Sequence, residues 1–179
     1  MTKTRKLIST ALCAALCVVL PIAFHTIPNA GAIFLPMHIP VLLCGFLCGW
    51  PYGLACGMLG PVLSHLLTQM PPAALLPSML CELAVYGLVT GLLYPRMRTR
   101  SEAAAIYVPL LSAMVCGRLV NGALNALIFQ AGRYSLELWL SASVTTALPG
   151  IAIQLVVLPV LLGALRKAGF LRRTVPAVS

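Results

Sequence analysis

Long apolar runs occupy most of the chain, and short segments with proline, glycine or charged side chains separate them. Each run approaches the length of about 20 residues that an α-helix needs to cross the hydrocarbon core of a bilayer. The pattern predicts an all-α integral membrane protein, a compact six-helix bundle that forms a single domain over residues 1–179. The expected helices cover 7–24, 37–50, a third helix that ends at 68, 74–94, 103–130 and 138–165, with basic tails at 1–6 and 166–179.

The segment from Phe34 to Gly57 combines a proline-bracketed histidine, Pro36-Met37-His38-Ile39-Pro40, with a series of glycines spaced four residues apart. In a helix this spacing puts the glycines on one face, where neighbouring backbones can approach closely. We expect a tight turn at Trp50-Pro51-Tyr52-Gly53, a loop over 25–36, and Pro95 at the end of the fourth helix. The glycines are Gly45, Gly49, Gly53 and Gly57.

Composition and charge agree with a membrane location. The chain is 60% hydrophobic and only 8% charged, so it has too little polar surface for a soluble globule. The net charge of +9 does not indicate a nucleic-acid partner, because ten of the twelve basic residues lie in three clusters beside apolar runs. Six spans with both termini in the cytoplasm satisfy the positive-inside rule for all three clusters. The first run, about 18 residues long, is expected to span the membrane rather than to be a cleaved signal.

Polar side chains inside the predicted bundle are the candidates for a binding site, because burying a polar group in hydrocarbon is costly. Glu82 on the fourth helix and Arg118 on the fifth either pair with each other or await charged groups of a ligand. Arg118, Asn121 and Asn125 are spaced i, i+3 and i+7, so they share one helix face that suits a carboxylate or a heterocycle edge. The alternative is that Arg118 only neutralises Glu82 and the amides hold helices together.

Histidines and cysteines give weaker signals. His38, His65 and Gln69 are expected on the outer side, where they either contact a ligand or lie in the headgroup region. Their spacing matches no compact metal motif, and we expect neither a metal nor a cofactor. The seven cysteines lie inside apolar runs and are expected to be small packing residues.

Enzymatic motifs are absent from the sequence. The chain has no aspartate, no GxSxG or HExxH, and no phosphate-binding GxxxxGK[ST], so it is expected neither to be an enzyme nor to hydrolyse ATP itself. Ala11 and Ala15 form a small-xxx-small face on the first helix, which suits either close docking of a partner helix or ordinary packing.

These features together resemble the substrate-binding (S) components of energy-coupling factor (ECF) transporters, which import vitamins into bacteria. The resemblance rests on the size, the six predicted spans and the AxxxA pattern at Ala11 and Ala15. It also rests on three segments, MHIPVLLCGFLCG at 37–49, CELAVYGLVTGLLY at 81–94 and GRLVNG at 117–122.

The resemblance implies a subunit that captures a vitamin or related micronutrient at the outer face, with the AxxxA face docked on a transmembrane coupling subunit. Two ATPase subunits would supply the energy. On this hypothesis Arg118, Asn121, Asn125 and Glu82 line the pocket, and His38 with the loop before it closes the pocket. Pantothenate-like acids, folate-like molecules and other heterocyclic vitamins all remain open as substrates.

Two other functions remain open at this point. The chain could be a stand-alone secondary transporter or channel in which Glu82 couples transport to protons. It could also be a membrane enzyme or assembly factor, although nothing in the sequence places a nucleophile beside a base.

Overall fold

The computed structural model describes residues 2–23, 30–97, 101–129 and 135–170, and these residues form helices and short connections without a β-strand. The predicted all-α class is therefore confirmed for the described chain. The α-helices are α1 (Lys3–Ala23), α2 (Ala30–Phe34), α3 (His38–Cys48), α4 (Trp50–Thr68), α5 (Leu76–Met97), α6 (Glu102–Leu124), α7 (Leu136–Leu140) and α8 (Leu148–Lys167). Two π-helical segments, Asn125–Phe129 and Ser141–Thr145, follow α6 and α7.

Five segments of the described chain are long and apolar enough to cross a membrane. They are Lys3–Ala23, Gly31–Cys48, Leu76–Met97, Glu102–Phe129 and Ser143–Lys167. Helix α4 is not among them, although its 19 residues would extend about 28 Å. Tyr52, Ser64 and His65 lower its hydropathy, so the count of six spans remains a prediction.

The long helices alternate in direction through the bundle. The Cys17 thiol lies 3.7 Å from the Met37 carbonyl oxygen, near the end of α1 and the start of α3. The Cys48 thiol, at the end of α3, lies 3.5 Å from the Lys6 carbonyl oxygen near the start of α1. Helices α1 and α3 are therefore antiparallel, and α1 starts at the end of the bundle where α3 finishes.

One end of the bundle, which we call the basic end, contains the starts of α1, α4 and α6 and the ends of α3, α5 and α8. The Lys6 ammonium lies 5.6 Å from the ring centre of Tyr52, and the Arg5 guanidinium lies 5.9 Å from that of Phe170. The described basic residues of this end are Lys3, Arg5, Lys6, Arg96, Arg166 and Lys167. The shared end agrees with the positive-inside pattern, while its assignment to the cytoplasm remains a prediction.

Glycines set the closest helix contacts of the bundle. A Cβ atom on Gly53 would overlap the backbone of Gly87, and one on Gly57 would overlap the carbonyl group of Leu83. A Cβ on Gly45 would lie 2.8 Å from the Gly87 carbonyl oxygen. The predicted close approach is present, and the helix that makes it is α5, which packs against both α3 and α4.

The predicted turn at Trp50-Pro51-Tyr52-Gly53 is wrong, because α4 begins at Trp50 and includes the other three residues. The chain breaks one residue earlier, at Gly49, whose φ of 90° suits a residue without a Cβ atom. Pro51 is compatible with the first helical turn, where its missing N–H would have no intrahelical partner. Helix α5 ends at Met97, two residues after Pro95 and within the basic cluster where its end was expected.

The last predicted helix, 138–165, is interrupted rather than continuous. Helix α7 passes into the π-helical segment Ser141–Thr145, and α8 starts at Leu148 with Pro149 in its first turn. The expected loop 25–36 contains the short helix α2. The remainder of that loop at 25–29, His25 included, lies outside the described residues, as do Arg98, Arg100, Arg133, Arg172 and Arg173.

Five cysteines are buried where α1, α3 and α4 meet, and all seven thiols are free. They contact backbone oxygens and small side chains, for example the Cys44 thiol at 3.5 Å from the Tyr52 carbonyl oxygen. Within the described ranges, no group of three or more histidine, cysteine, aspartate or glutamate residues is arranged to hold a metal ion. The buried cysteines are Cys13, Cys17, Cys44, Cys48 and Cys56.

Candidate functional site

The second span, Gly31–Cys48, is broken near its start, and this break brings His38 into the bundle. Helix α2 ends at Phe34, Leu35 has a left-handed backbone with φ of 51°, and α3 starts at His38. Irregular backbone at membrane depth is tolerated where protein covers it, and Leu35 and Met37 are both buried. Gly150 of α8 packs against this break, since a Cβ there would lie 2.7 Å from the Ile33 carbonyl oxygen. His38 is only 2% exposed as a result.

Glu82 of α5 is the centre of a buried polar cluster with residues from α3 and α6. Its Oε1 atom accepts a hydrogen bond from the Tyr86 hydroxyl at 3.1 Å and lies 3.4 Å from Arg118 Nε. Its Oε2 atom accepts a hydrogen bond from Asn121 Nδ2 at 2.8 Å. His38 Nε2 lies 3.6 Å from Oε1, which is an ion-pair distance but too long for a hydrogen bond.

The predicted polar face of the fifth helix exists and points into this cluster. Asn125 Nδ2 donates to the Asn121 side-chain oxygen at 2.8 Å and to its carbonyl oxygen at 3.0 Å. Asn121 in turn contacts Glu82, so the two amides and the carboxylate form one chain of hydrogen bonds. Asn125 belongs to the π-helical segment that continues α6. Four of the predicted side chains therefore lie around Glu82. His38, Arg118 and Asn121 approach its carboxylate directly, and Asn125 is connected to it through Asn121.

Trp139 connects the cluster to the segment between α6 and α8. Its indole Nε1 donates to the Arg118 carbonyl oxygen at 3.1 Å. The indole ring lies over Gly122, where a Cβ atom would overlap it. Tyr86 is held similarly, since its ring lies against Gly117 and meets the His38 ring edge-on with centres 5.0 Å apart. Glycines on α6 thus make room for both aromatic residues.

In the part of the chain that the structure describes, several buried nitrogens have no hydrogen-bond partner. Arg118 Nη2 and both ring nitrogens of His38 are in this state, and so is Gln154 Nε2 on α8. Gln154 is 1% exposed and lies on the buried stripe of α8 that also contains Gly150 and Leu158. Buried donors are normally paired, so each of these nitrogens calls for an acceptor.

His65 and Gln69 lie at the end of α4, apart from the residues that contact Glu82. His65 Nδ1 lies 2.7 Å from the Pro71 carbonyl oxygen, and Gln69 caps α4 with a left-handed backbone at φ of 58°. Neither has a hydrogen bond or ion pair to Glu82 within the described part of the chain. Their proposed contact with a ligand remains a prediction that the geometry does not favour.

Ala11 and Ala15 face outward from the bundle, whereas Ala14 is buried. The same face of α1 exposes large apolar side chains on either side of the two alanines, so the alanines form a shallow depression in an apolar surface. These side chains are Ile8, Leu12, Val19 and Ile22. The position is compatible with close helix docking.

Two side chains of the site, Tyr86 and Trp139, were not among the predicted site residues. Tyr86 is one helical turn after Glu82 on the same face, so the i, i+4 spacing could have indicated it. Trp139 could not be found this way, because its contacts with Gly122 and Arg118 depend on the interruption before α8.

The comparison with protein families decides the identity. Residues 5–162 match the family described as "ECF transporter, substrate-specific component". The chain belongs to this family. No curated protein and no solved structure matches the chain.

Membership confirms the resemblance seen in the sequence. ECF substrate-specific components are subunits of transporters and not enzymes, and they are multi-pass membrane proteins. The apolar spans of the described chain agree with that location. The family does not specify the solute or the partners of this particular component.

Proposed function

We propose that this ECF substrate-specific component captures a vitamin or related micronutrient at the outer face of the membrane. On this proposal it delivers the solute inward together with a transmembrane coupling subunit and two ATPase subunits. The observation that carries the proposal is the buried cluster around Glu82 in a chain of this family. A polar cluster of this kind is costly in lipid. Among the described residues it contains buried nitrogens of Arg118 and His38 without a hydrogen-bond partner, and a bound solute would supply the acceptor that they lack.

The position of the cluster supports binding from the end opposite the basic end. Glu82 is the seventh residue of α5, so it lies about 9 Å from the first residue of that helix. Arg118 is also closer to the end of the Glu102–Phe129 span than to its start. If the basic end faces the cytoplasm, the cluster lies in the outer half of the bundle.

For the coupling subunit we propose the outward face of α1 around Ala11 and Ala15. Small residues let a partner helix approach closely, and exposed apolar side chains beside them would be covered in the complex. The inner face of α1 carries Cys13 and Cys17, which are occupied by packing against α3 and α4. A partner can therefore contact the alanine face without disturbing the bundle.

Tryptophan at either alanine should abolish this docking. We expect the Ala11→Trp and Ala15→Trp variants to fold normally but to lose co-purification with the coupling subunit, because the indole fills the depression. Ala152→Trp is the matched control, since Ala152 is an exposed alanine on α8. The measurement is pull-down of the complete importer from membranes. Assembly that survives both α1 substitutions, or that is lost equally in the control, would contradict the docking proposal.

The alternative function, a stand-alone transporter that uses Glu82 for proton coupling, receives less support from the geometry. A proton-carrying carboxylate must exchange partners, whereas Glu82 is surrounded by donors from Tyr86, Asn121 and Arg118. Vesicles that contain this chain alone separate the two functions. Solute uptake driven by a proton gradient supports the alternative, while a need for ATP and partner subunits supports the proposal.

A further inference from the structure

The acceptor capacity of Glu82 is already used within the protein. A carboxylate offers about four lone-pair directions on two oxygens. Oε1 accepts a hydrogen bond from the Tyr86 hydroxyl and faces Arg118 Nε. Oε2 accepts a hydrogen bond from the Asn121 amide. His38 Nε2 approaches Oε1 as well, at 3.6 Å. Glu82 therefore has little capacity left to read a donor group of a solute.

Arg118 has the opposite character. A guanidinium carries five N–H donors in one plane, and in Arg118 the Nε edge is turned toward Glu82. Its Nη2 atom is buried and has no partner in the described structure. The side chain as a whole is 15% exposed, so it is enclosed but not completely sealed. A planar acceptor placed at this edge would complete the hydrogen bonding of the guanidinium.

His38 adds donor capacity beside Arg118. The His38 side chain is 2% exposed, and within the described residues neither of its ring nitrogens has a hydrogen-bond partner. Like Arg118 Nε, its Nε2 atom lies close to Glu82 Oε1. At least one imidazole nitrogen always carries a proton. His38 is also the first residue of α3, so the positive end of that helix dipole lies at the same place. The unpartnered groups and the helix terminus all favour an acceptor with negative charge.

We infer that the solute enters the site with a carboxylate, which Arg118 Nη2 and a His38 ring nitrogen bind while Glu82 acts as the internal counter-ion of Arg118. This inference rests on the proposed function, and it specifies the chemical class of the solute. The formal charges of Glu82 and Arg118 cancel each other. The solute carboxylate then adds one negative charge beside Arg118 Nη2 and a His38 ring nitrogen, which have no acceptor in the described structure. A cationic solute would instead need Glu82 as its partner, and the donors around Glu82 oppose that arrangement.

Three probes that share an aromatic ring but differ in charge test the inference directly. Benzoate, benzamide and benzylamine are titrated against the purified full-length chain, and any small molecule released from that chain is compared with its methyl ester. The chain contains two tryptophans, so a Trp50→Phe background leaves Trp139 as the reporter. Its hydrogen bond to the Arg118 carbonyl oxygen makes its fluorescence sensitive to the site. Thermal unfolding provides a second readout.

We expect the anionic member of each set to bind about 10- to 100-fold more tightly than its neutral counterpart. The neutral molecule cannot form the charge-assisted hydrogen bonds of the carboxylate, and this range is the usual effect of losing one such group. Arg118→Gln should bring this acid preference close to one. Because that variant leaves Glu82 buried without its cation, the double variant Glu82→Gln/Arg118→Gln is included, and it should fold and also lack the preference. Glu82→Gln alone should retain the preference for the acid.

Arg166→Gln is the matched control, because Arg166 is a largely buried arginine at the basic end with contacts to Glu102 and Tyr94. It should leave the acid preference unchanged. Tighter binding of the cationic or neutral probe, or a released solute that binds equally well as its ester, would overturn the inference and leave the proposed function standing. No released solute together with no binding of any probe would overturn the proposed function and the inference with it.

Discussion

Replacing Glu82 by alanine is expected to lower the free energy of unfolding by about 3–5 kcal/mol, the usual cost of removing one partner of a buried ion pair. Arg118 would lose its counter-ion while remaining largely buried. The Tyr86 hydroxyl and the Asn121 amide would lose their acceptor at the same time. In lipid these groups have no water to replace the carboxylate.

The measurement is denaturation of the purified chain in mixed micelles, with Glu102→Ala as the matched control. Glu102 is also a glutamate paired with an arginine, but its side chain is 77% exposed. Arg166 also keeps the Tyr94 hydroxyl as a hydrogen-bond partner. We therefore expect the Glu102 substitution to change the free energy of unfolding by less than about 1 kcal/mol. Equal effects of Glu82→Ala and Glu102→Ala would show that the buried cluster contributes no special stability.

Adding a single methyl group at Gly87 is the second substitution with a large expected effect. In the native structure a Cβ atom at this position would overlap the carbonyl group of Gly53 and would lie 2.9 Å from its Cα atom. Both contacts are with backbone, so a side-chain rotation cannot relieve them, and α4 and α5 must move apart. We expect Gly87→Ala to lower the free energy of unfolding by about 3 kcal/mol, at the upper end of typical overpacking costs.

Gly163→Ala separates this steric effect from the general effect of replacing glycine in a helix. A Cβ atom at Gly163 of α8 meets no heavy atom within 4 Å, so alanine there should be neutral or slightly stabilising. The same micelle denaturation applies to both variants. If Gly87→Ala were as stable as Gly163→Ala, the close packing of α4 on α5 would be wrong.

Patterns that depend on composition and regular spacing were predictable from the sequence. The i, i+3, i+7 spacing of Arg118, Asn121 and Asn125 put them on one face, and the structure brings that face to Glu82. Of the two possibilities for Glu82 and Arg118, the structure shows the pair, with Nε 3.4 Å from Oε1. The shared face follows from local helix geometry, which the spacing determines, whereas the pair depends on how α5 packs on α6.

Interruptions of helices were not predictable in the same way. Hydropathy did not reveal the π-helical segment Ser141–Thr145, because it lies inside an apolar run. It also did not reveal the short helix α2 inside the loop expected at 25–36. The partner of the glycine series was also left open by the sequence, since Gly53 indicates a close contact but not that Gly87 makes it. His65 and Gln69 illustrate the remaining difficulty, because a polar residue near a helix end can serve the local backbone instead of a ligand.

On the proposed function, this chain binds a small solute at the cluster around Glu82. Native mass spectrometry of the full-length chain, purified in detergent from cells grown in rich medium, tests it most directly. We expect a bound small molecule on the unmodified chain and its loss in both Arg118→Ala and Asn121→Ala variants that retain their fold. A chain that carries no solute, or folded variants that retain the solute at unchanged occupancy, would contradict it.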